Sequence, residues 1–549
     1  MFIKMINLVA LLLLFIPSYC LGGEDVLYKK YCAKCHGENR LGKLAPPLLP
    51  IFMKNISLEK FENIIKNGIP ATSMPSFPSF SKQQIEQLYN FLKTPKKVIW
   101  KQKNILDSLQ VLNQSIDIKP FTDLRNITLL VERGKSSIWV LENEKILGKF
   151  NVSNVHGGIK FSKSQVFIPS RDGWVSKVDL KDAKFKRKIR PCIYLRNIDV
   201  SADGKYVLAS CWLPESIVIL DKISLKPVKV LKLDGKISAI YSLYKKSQAV
   251  FTFRDKQGIY ILNLKDFNIK SFPTKSPITG FFIDPFDRYI IGSSKKEKKL
   301  QVYSLKDGNL VFESSIPSMP HLFSVAVWYQ NGNFYFATRH IKSPVLSIWR
   351  MYNWKLEKQI KLSGAGFFVR THPDTPYLWT DVSSDKVALI NKRNLHHKEI
   401  TIVSGKRYLH TEFSGDGNIA YLSIYDKDGY LVLLNSKTLK QIKKFPASLP
   451  VGKYNYVNKT RKFLPQLLGK QIYIQKCWGC HHPLEEAFAP SFKKIASTRD
   501  DSLIMAQILN PGGTYKLLGY KENYMPRFNF SKEELEAIVS FIKTFKEEN

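Results

Sequence analysis

The chain has 549 residues, with 84 Lys and Arg against 46 Asp and Glu, a formal net charge of +38, and seven cysteines. That length exceeds what one ordinary core organises, so about three domains are expected unless a single large β-fold absorbs much of it. The lysines are scattered rather than clustered, which argues against nucleic-acid binding; the surplus charge suits acidic protein partners or a plain solvated surface.

Residues 1–23 read as a secretory signal peptide, with a lysine at position 4, an apolar run over positions 8–17 and small residues at Gly22-Gly23. Export to the periplasm follows. The run falls short of the roughly 20 residues that span a bilayer, so the mature chain is expected to lack a transmembrane anchor. Lipidation at Cys20 is the weaker alternative, because Pro17-Ser18-Tyr19 makes a poor lipobox.

Residues 24–98 carry Cys32-Ala33-Lys34-Cys35-His36 on an expected first helix. Two thiols one helical turn apart add to the two vinyl groups of a haem and place His36 under the iron. A zinc site would need two more Cys or His ligands nearby, and none follows His36 in this region. The sixth iron ligand is expected from a later loop, and Met74 in Ser73-Met74-Pro75 fits, ahead of Ser81-Lys82-Gln83-Gln84 and an amphipathic helix. Lys93-Thr94-Pro95-Lys96-Lys97 then reads as a linker.

Between residues 115 and 460 short β-branched and aromatic runs alternate with Gly, Asp, Asn and Lys turns. Comparable units begin near Ile127, Val166, Tyr206, Ala249, Arg288, Phe334, Tyr377 and Ile419, a spacing of about 40 residues typical of propeller blades. Eight units predict an eight-bladed β-propeller; a seven-bladed ring with one misread unit is the alternative. Cys192 and Cys211 fall on what read as neighbouring strands, where a disulfide and two separate buried thiols fit equally well.

After Lys459-Thr460-Arg461-Lys462, a second linker, residues 466–549 repeat the first pattern with Cys477-Trp478-Gly479-Cys480-His481 and Tyr524-Met525-Pro526. Ser531-Lys532-Glu533-Glu534 opens the closing helix. Met53 and Met505 are spare ligand candidates in helical surroundings or without the Met-Pro loop, and His482 reads as an exposed neighbour. Both ends resemble class I cytochrome c domains. That resemblance implies two covalent haems c, held by Cys32 and Cys35 and by Cys477 and Cys480, with His36, Met74, His481 and Met525 as iron ligands. Filled axial positions imply electron transfer, to a soluble partner of cytochrome or cupredoxin type. The expected architecture is an all-β eight-bladed propeller with a small all-α cytochrome c domain at each end.

Several phrases in the middle resemble the d1-haem propeller of cytochrome cd1 nitrite reductase and its paralogues in d1-haem biosynthesis. They are Val155-His156, Ser170-Arg171-Asp172-Gly173, Leu208-Ala209-Ser210-Cys211-Trp212, Arg370-Thr371-His372-Pro373, His410-Thr411-Glu412-Phe413-Ser414 and Val451-Gly452-Lys453-Tyr454-Asn455. The resemblance implies a non-covalent haem d1, or its dihydro precursor, with His156 as proximal ligand and Arg133 and Arg171 pairing with its carboxylates. Nitrite reduction would draw on His340 and His372 as proton donors. His410 instead falls where the dihydro-haem d1 dehydrogenase paralogue places a second iron ligand, which points to oxidation of a propionate to an acrylate. That paralogue carries only an amino-terminal c domain, so the carboxy-terminal one is a departure. A non-catalytic haem-binding or electron-transfer scaffold is the third alternative.

Overall fold

The computed structural model describes residues 26–43, 45–68, 74–243, 246–295, 297–458 and 463–546; the signal region with Cys20, Ser73, and the second linker at 459–462 lie outside them. The chain divides into two compact units, Met1–Lys97 and Val98–Asn549.

In the first unit a π-helical turn, Tyr28–Cys32, runs directly into Ala33–His36, followed by helices Pro50–Met53, Leu58–Asn67 and Lys82–Lys93. Side chains start the two longer helices: Ser57 accepts from the Lys60 amide, and Ser81 and Gln84 cap each other reciprocally. Phe61 and Ile65 on one helix and Ile85, Leu88, Tyr89 and Leu92 on the other lie at helical spacing, and they close over Tyr28, Cys32 and Met53 as one core. Gly68 follows with φ +68°, where a Cβ would stand 2.7 Å from the Met74 carbonyl oxygen.

The second unit is built on eight sheets arranged as blades. Blade 1 places Pro450–Asn455 innermost, then Ile127–Glu132, Ser137–Glu142 and Lys145–Asn151. The last strand of the ring thus closes on the first blade, pairing Thr128 with Asn455 and Leu130 with Lys453. The Asn455 amide adds bonds to Ile127 O and Thr128 Oγ1, both at 3.1 Å. Blades 2 to 8 follow in sequence order, and blade 2 gains a fifth, outer strand from Gln110–Ser115. Second and third strands are buried on both faces and rich in Val, Ile and Leu, while outer strands such as Pro227–Lys232 are half exposed.

Antiparallel order within a blade puts the turns from first to second and from third to fourth strand at one end of the ring. Turns from second to third strand, and the loops entering each blade, lie at the other end, called the mouth below. The disulfide Cys192–Cys211 (Cα–Cα 6.0 Å) ties the loop entering blade 3 to that blade's second strand, which decides between the two cysteine alternatives.

After the ring come helices Phe463–Ile472, Phe492–Thr498, Asp501–Leu509 and Lys532–Ile542, the last three capped by Ser491, Asp500 and Ser531. They pack on blades 5 and 6: Leu468, Ile472, Ile538 and Ile542 share one apolar cluster with Phe286, Phe334 and Trp354. Arg288 pairs with Glu533 at 2.5 Å. Arg288 follows the first strand of blade 5 and Trp354 precedes the fourth of blade 6, so these helices sit at the end away from the mouth.

Candidate functional site

Cys477, Cys480, His481 and Met525 line one pocket, walled by Phe492, Ile504, Ile508 and Phe528 among others. His481 donates from Nδ1 to Pro490 O at 2.8 Å, which leaves Nε2 as the ligating nitrogen. Burial holds its pKa below the usual histidine value, so the ring is the neutral form an iron requires. The Met525 sulfur accepts from Gln507 Nε2 at 3.7 Å. Two thiols, a neutral imidazole and a thioether in one apolar cavity are the donor set of a covalent c haem. In the first unit His36 repeats the arrangement, donating from Nδ1 to Pro46 O at 2.7 Å with its pKa lowered by burial. Cys32 is buried beside it, and Met74 packs on the same core. Met53, 1% exposed, is a core residue, Met505 packs on the carboxy-terminal core, and His482 is exposed.

His156 lies at the mouth, in the loop entering blade 2. Its amide donates to Pro169 O at 3.0 Å, and the Arg171 amide donates to Asn154 O at 2.9 Å, so the loop and the next turn of the same blade are stitched together. Within that turn Gly173 has φ +98° and a Cβ there would stand 1.7 Å from the Cys192 carbonyl oxygen, which makes glycine obligatory. A guanidinium nitrogen of Arg171 lies 3.0 Å from His156 Nδ1 and 3.2 Å from Nε2. Burial first, then the charges of Arg171, Arg196 and Arg133, push the His156 pKa down to about 3. Arg196, whose own pKa is lowered chiefly by burial, donates from Nε to Ser238 O at 2.7 Å and lies over Phe323. Arg254 shares Trp212 with it. Among the described residues no carboxylate forms an ion pair with Arg133, Arg171, Arg196 or Arg254. Mutually repelling cations around a neutral imidazole are a cradle for a polycarboxylate that offers an iron.

His321, a residue not singled out by its sequence context, also faces Arg196, which together with burial lowers its pKa. It lies in the loop entering blade 6 and donates from Nδ1 to Phe367 O at 2.6 Å, the same anchoring that His36 and His481 show. Its sequence signal is the likeness of Pro320-His321 to Val155-His156, each a histidine just ahead of an innermost strand. His410 stands on the innermost strand of blade 8, 8% exposed, and the Phe368 ring meets both His410 and His321 edge-on at 5.0 and 5.5 Å. Tyr454, on the closing strand, faces Glu412, Arg133 and Arg370; burial pushes its hydroxyl up to about 12.

Of the two expected proton donors, His340 follows the second strand of blade 6 at the mouth end and His372 lies at the other end. His340 is fully buried, with Nδ1 against Ser318 O at 2.7 Å and Nε2 against Ser347 Oγ at 2.8 Å, so one ring nitrogen braces the loop that carries His321 and the other is bonded to the third strand of blade 6. His372 is 2% exposed on the turn between the first two strands of blade 7, at the end away from the mouth, where its Nδ1 accepts from the Asp374 amide. Burial holds both pKa values below the usual histidine value.

The cytochrome D1 heme domain model matches residues 122–459, more than half of the chain. The chain belongs to the cytochrome D1 heme domain family. Two further models match its ends, cytochrome c oxidase cbb3-type subunit III over residues 24–92 and cytochrome c over 467–546. Among relatives, a dihydro-heme d1 dehydrogenase of Pseudomonas aeruginosa is 32% identical over 463 residues, spanning 79% of this chain and 94% of the relative. A nitrite reductase of Stutzerimonas stutzeri is 22% identical over 529 residues, spanning 79% and 92%. The solved dihydro-heme d1 dehydrogenase NirN in complex with DHE superposes with TM-score 0.76 and 32% identity, over 79% of this chain and 99% of that one. No helix among the described residues is long and apolar enough to cross a membrane.

Proposed function

We propose that this protein is a periplasmic dihaem c oxidoreductase of d1-haem maturation, which removes two hydrogens from a propionate of a dihydro-d1 macrocycle to leave an acrylate. Two protons and two electrons leave in that conversion, and two c haems accept the electrons one each. The observation that carries the proposal is the arginine cluster of Arg133, Arg171 and Arg196 around uncharged His156, a site for several carboxylates beside an iron ligand. The bound macrocycle supplies the oxidisable side chain and the iron. His156 and His321 would hold it, His321 with its Nδ1 anchored on a carbonyl as His36 and His481 are, and His410, first expected as an iron ligand, would take up a proton. A small helical domain with one covalent haem at each end completes the reading.

The disulfide Cys192–Cys211 supports an oxidising compartment and hence export. Similarity to the dehydrogenase at 32% identity supports this chemistry over nitrite reduction, since His340 is buried with both ring nitrogens bonded and His372 lies at the end away from the mouth. Mixing the pure oxidised protein with the dihydro precursor should convert its spectrum to that of haem d1 while the c-haem bands reduce. An unchanged precursor spectrum, in protein shown to carry both c haems, sinks the proposal.

A further inference from the structure

Residues 363–368 enter the innermost strand of blade 7 and bring two phenylalanines to the mouth. Beneath them Asp381, at the end of the strand Tyr377–Asp381, is wholly buried. Its Oδ1 accepts from the Phe367 amide at 2.9 Å and from the Phe368 amide at 2.7 Å. Its Oδ2 has no hydrogen-bond partner among the described residues. Arg339 favours the carboxylate charge from nearby, but it donates to Gly364 O at 2.7 Å and forms no ion pair with Asp381. The Phe367 carbonyl in turn accepts from His321, and the Phe368 ring stands edge-on between His321 and His410. One carboxylate in blade 7 therefore fixes the peptide that orients a histidine of blade 6, and the ring that spaces it from a histidine of blade 8.

A buried carboxylate is costly unless its partners repay the lost hydration, and two amides do so only in part: burial still pushes its pKa up to about 6. An apolar residue in its place would leave the Phe367 and Phe368 amides without their acceptor, so the carboxylate is what holds this turn. We propose that Asp381 is a positioning residue of the mouth, setting the tautomer and place of His321 and its spacing from His410 through the Phe367-Phe368 peptide. The proposal rests on the reading that the mouth holds a d1-type macrocycle. Its geometric half is independent of that reading.

Two measurements on the full chain test it: histidine nitrogen NMR of the d1-free protein, with the His321 signal assigned by His321→Gln, and titration with haem d1 followed by absorption. In the unsubstituted protein His321 should hold its proton on Nδ1 alone. Asp381→Ala should give mixed tautomers and weaken haem d1 about tenfold to a hundredfold with an altered low-spin spectrum, the effect expected of losing a charged hydrogen-bond acceptor. Asp381→Asn, which keeps one acceptor oxygen, should fall between. Thr375→Val, at the other end of the same blade, destabilises the blade through its lost bond to Ser436 O and should leave tautomer and spectrum unchanged. An unchanged tautomer in Asp381→Ala, or an equal change in Thr375→Val, overturns the proposal. If Asp381→Ala fails to fold, as judged by c-haem content, Asp381→Asn decides by the same criteria. If the unsubstituted protein does not take up haem d1, the functional reading fails and the NMR result alone decides Asp381.

Discussion

On the proposed reading, the c-haem pockets and the mouth of the propeller solve one problem, holding an iron macrocycle, in opposite ways. At the carboxy-terminal end five consecutive residues supply two attachment points and one ligand, and a single loop supplies Met525. At the mouth the groups come one at a time: Arg133 from blade 1, His156 and Arg171 from blade 2, Arg196 from blade 3, Arg254 from blade 4, His321 from blade 6 and His410 from blade 8. A local motif tolerates distortion of the rest of its domain. A dispersed site depends on the closure of the whole ring.

The comparison is sharpened by removing the strongest element of each. Cys477→Ala with Cys480→Ala should abolish covalent haem at that end entirely, halving the haem per chain by pyridine haemochrome assay while the propeller stays folded. His156→Ala should weaken haem d1 binding on the order of a hundredfold and shift the spectrum of whatever remains bound. Full affinity in that variant would break the contrast. Arg196→Ala should weaken binding about tenfold and flatten its salt dependence, because a partly buried guanidinium on a carboxylate is a charge-assisted bond.

Protonation offers a gentler probe. His156 titrates near 3 in the folded protein against an ordinary value of 6.5. Between those values the unfolded chain holds a proton there that the folded chain does not, so d1-free protein should lose stability as pH falls from about 6.5 towards 3. His156→Gln should show a smaller drop in melting temperature over that window, and an equal drop would count against the assigned environment. The smallest effect is expected at the far end of the ring: Arg288→Ala removes the half-buried pair with Glu533 and should cost about 1 kcal/mol, seen as a lower melting temperature of the carboxy-terminal helices with the mouth unaffected.

Blade count was legible because the eight repeated units begin at or beside the second strand of each blade, the strand buried on both faces and so the clearest apolar run. Innermost strands left little trace; that of blade 7 is only Val369–Arg370. His372 looked like a mouth residue because a strand-end histidine reads alike at either end of a ring, whereas His340 does lie at the mouth end but has both ring nitrogens bonded within blade 6. Only the alternation of turns tells the ends apart.

Residue spacing by itself determined the repeated ring and the two cytochrome c regions, since each rests on a regular period or a motif of a few residues. Tertiary structure alone decided that Cys192 meets Cys211, that His372 lies at the end away from the mouth, that His321 is anchored on the Phe367 carbonyl, and that Asp381 holds the Phe367 and Phe368 amides. Those pairings join residues 13 to 46 positions apart, on different strands, loops or blades.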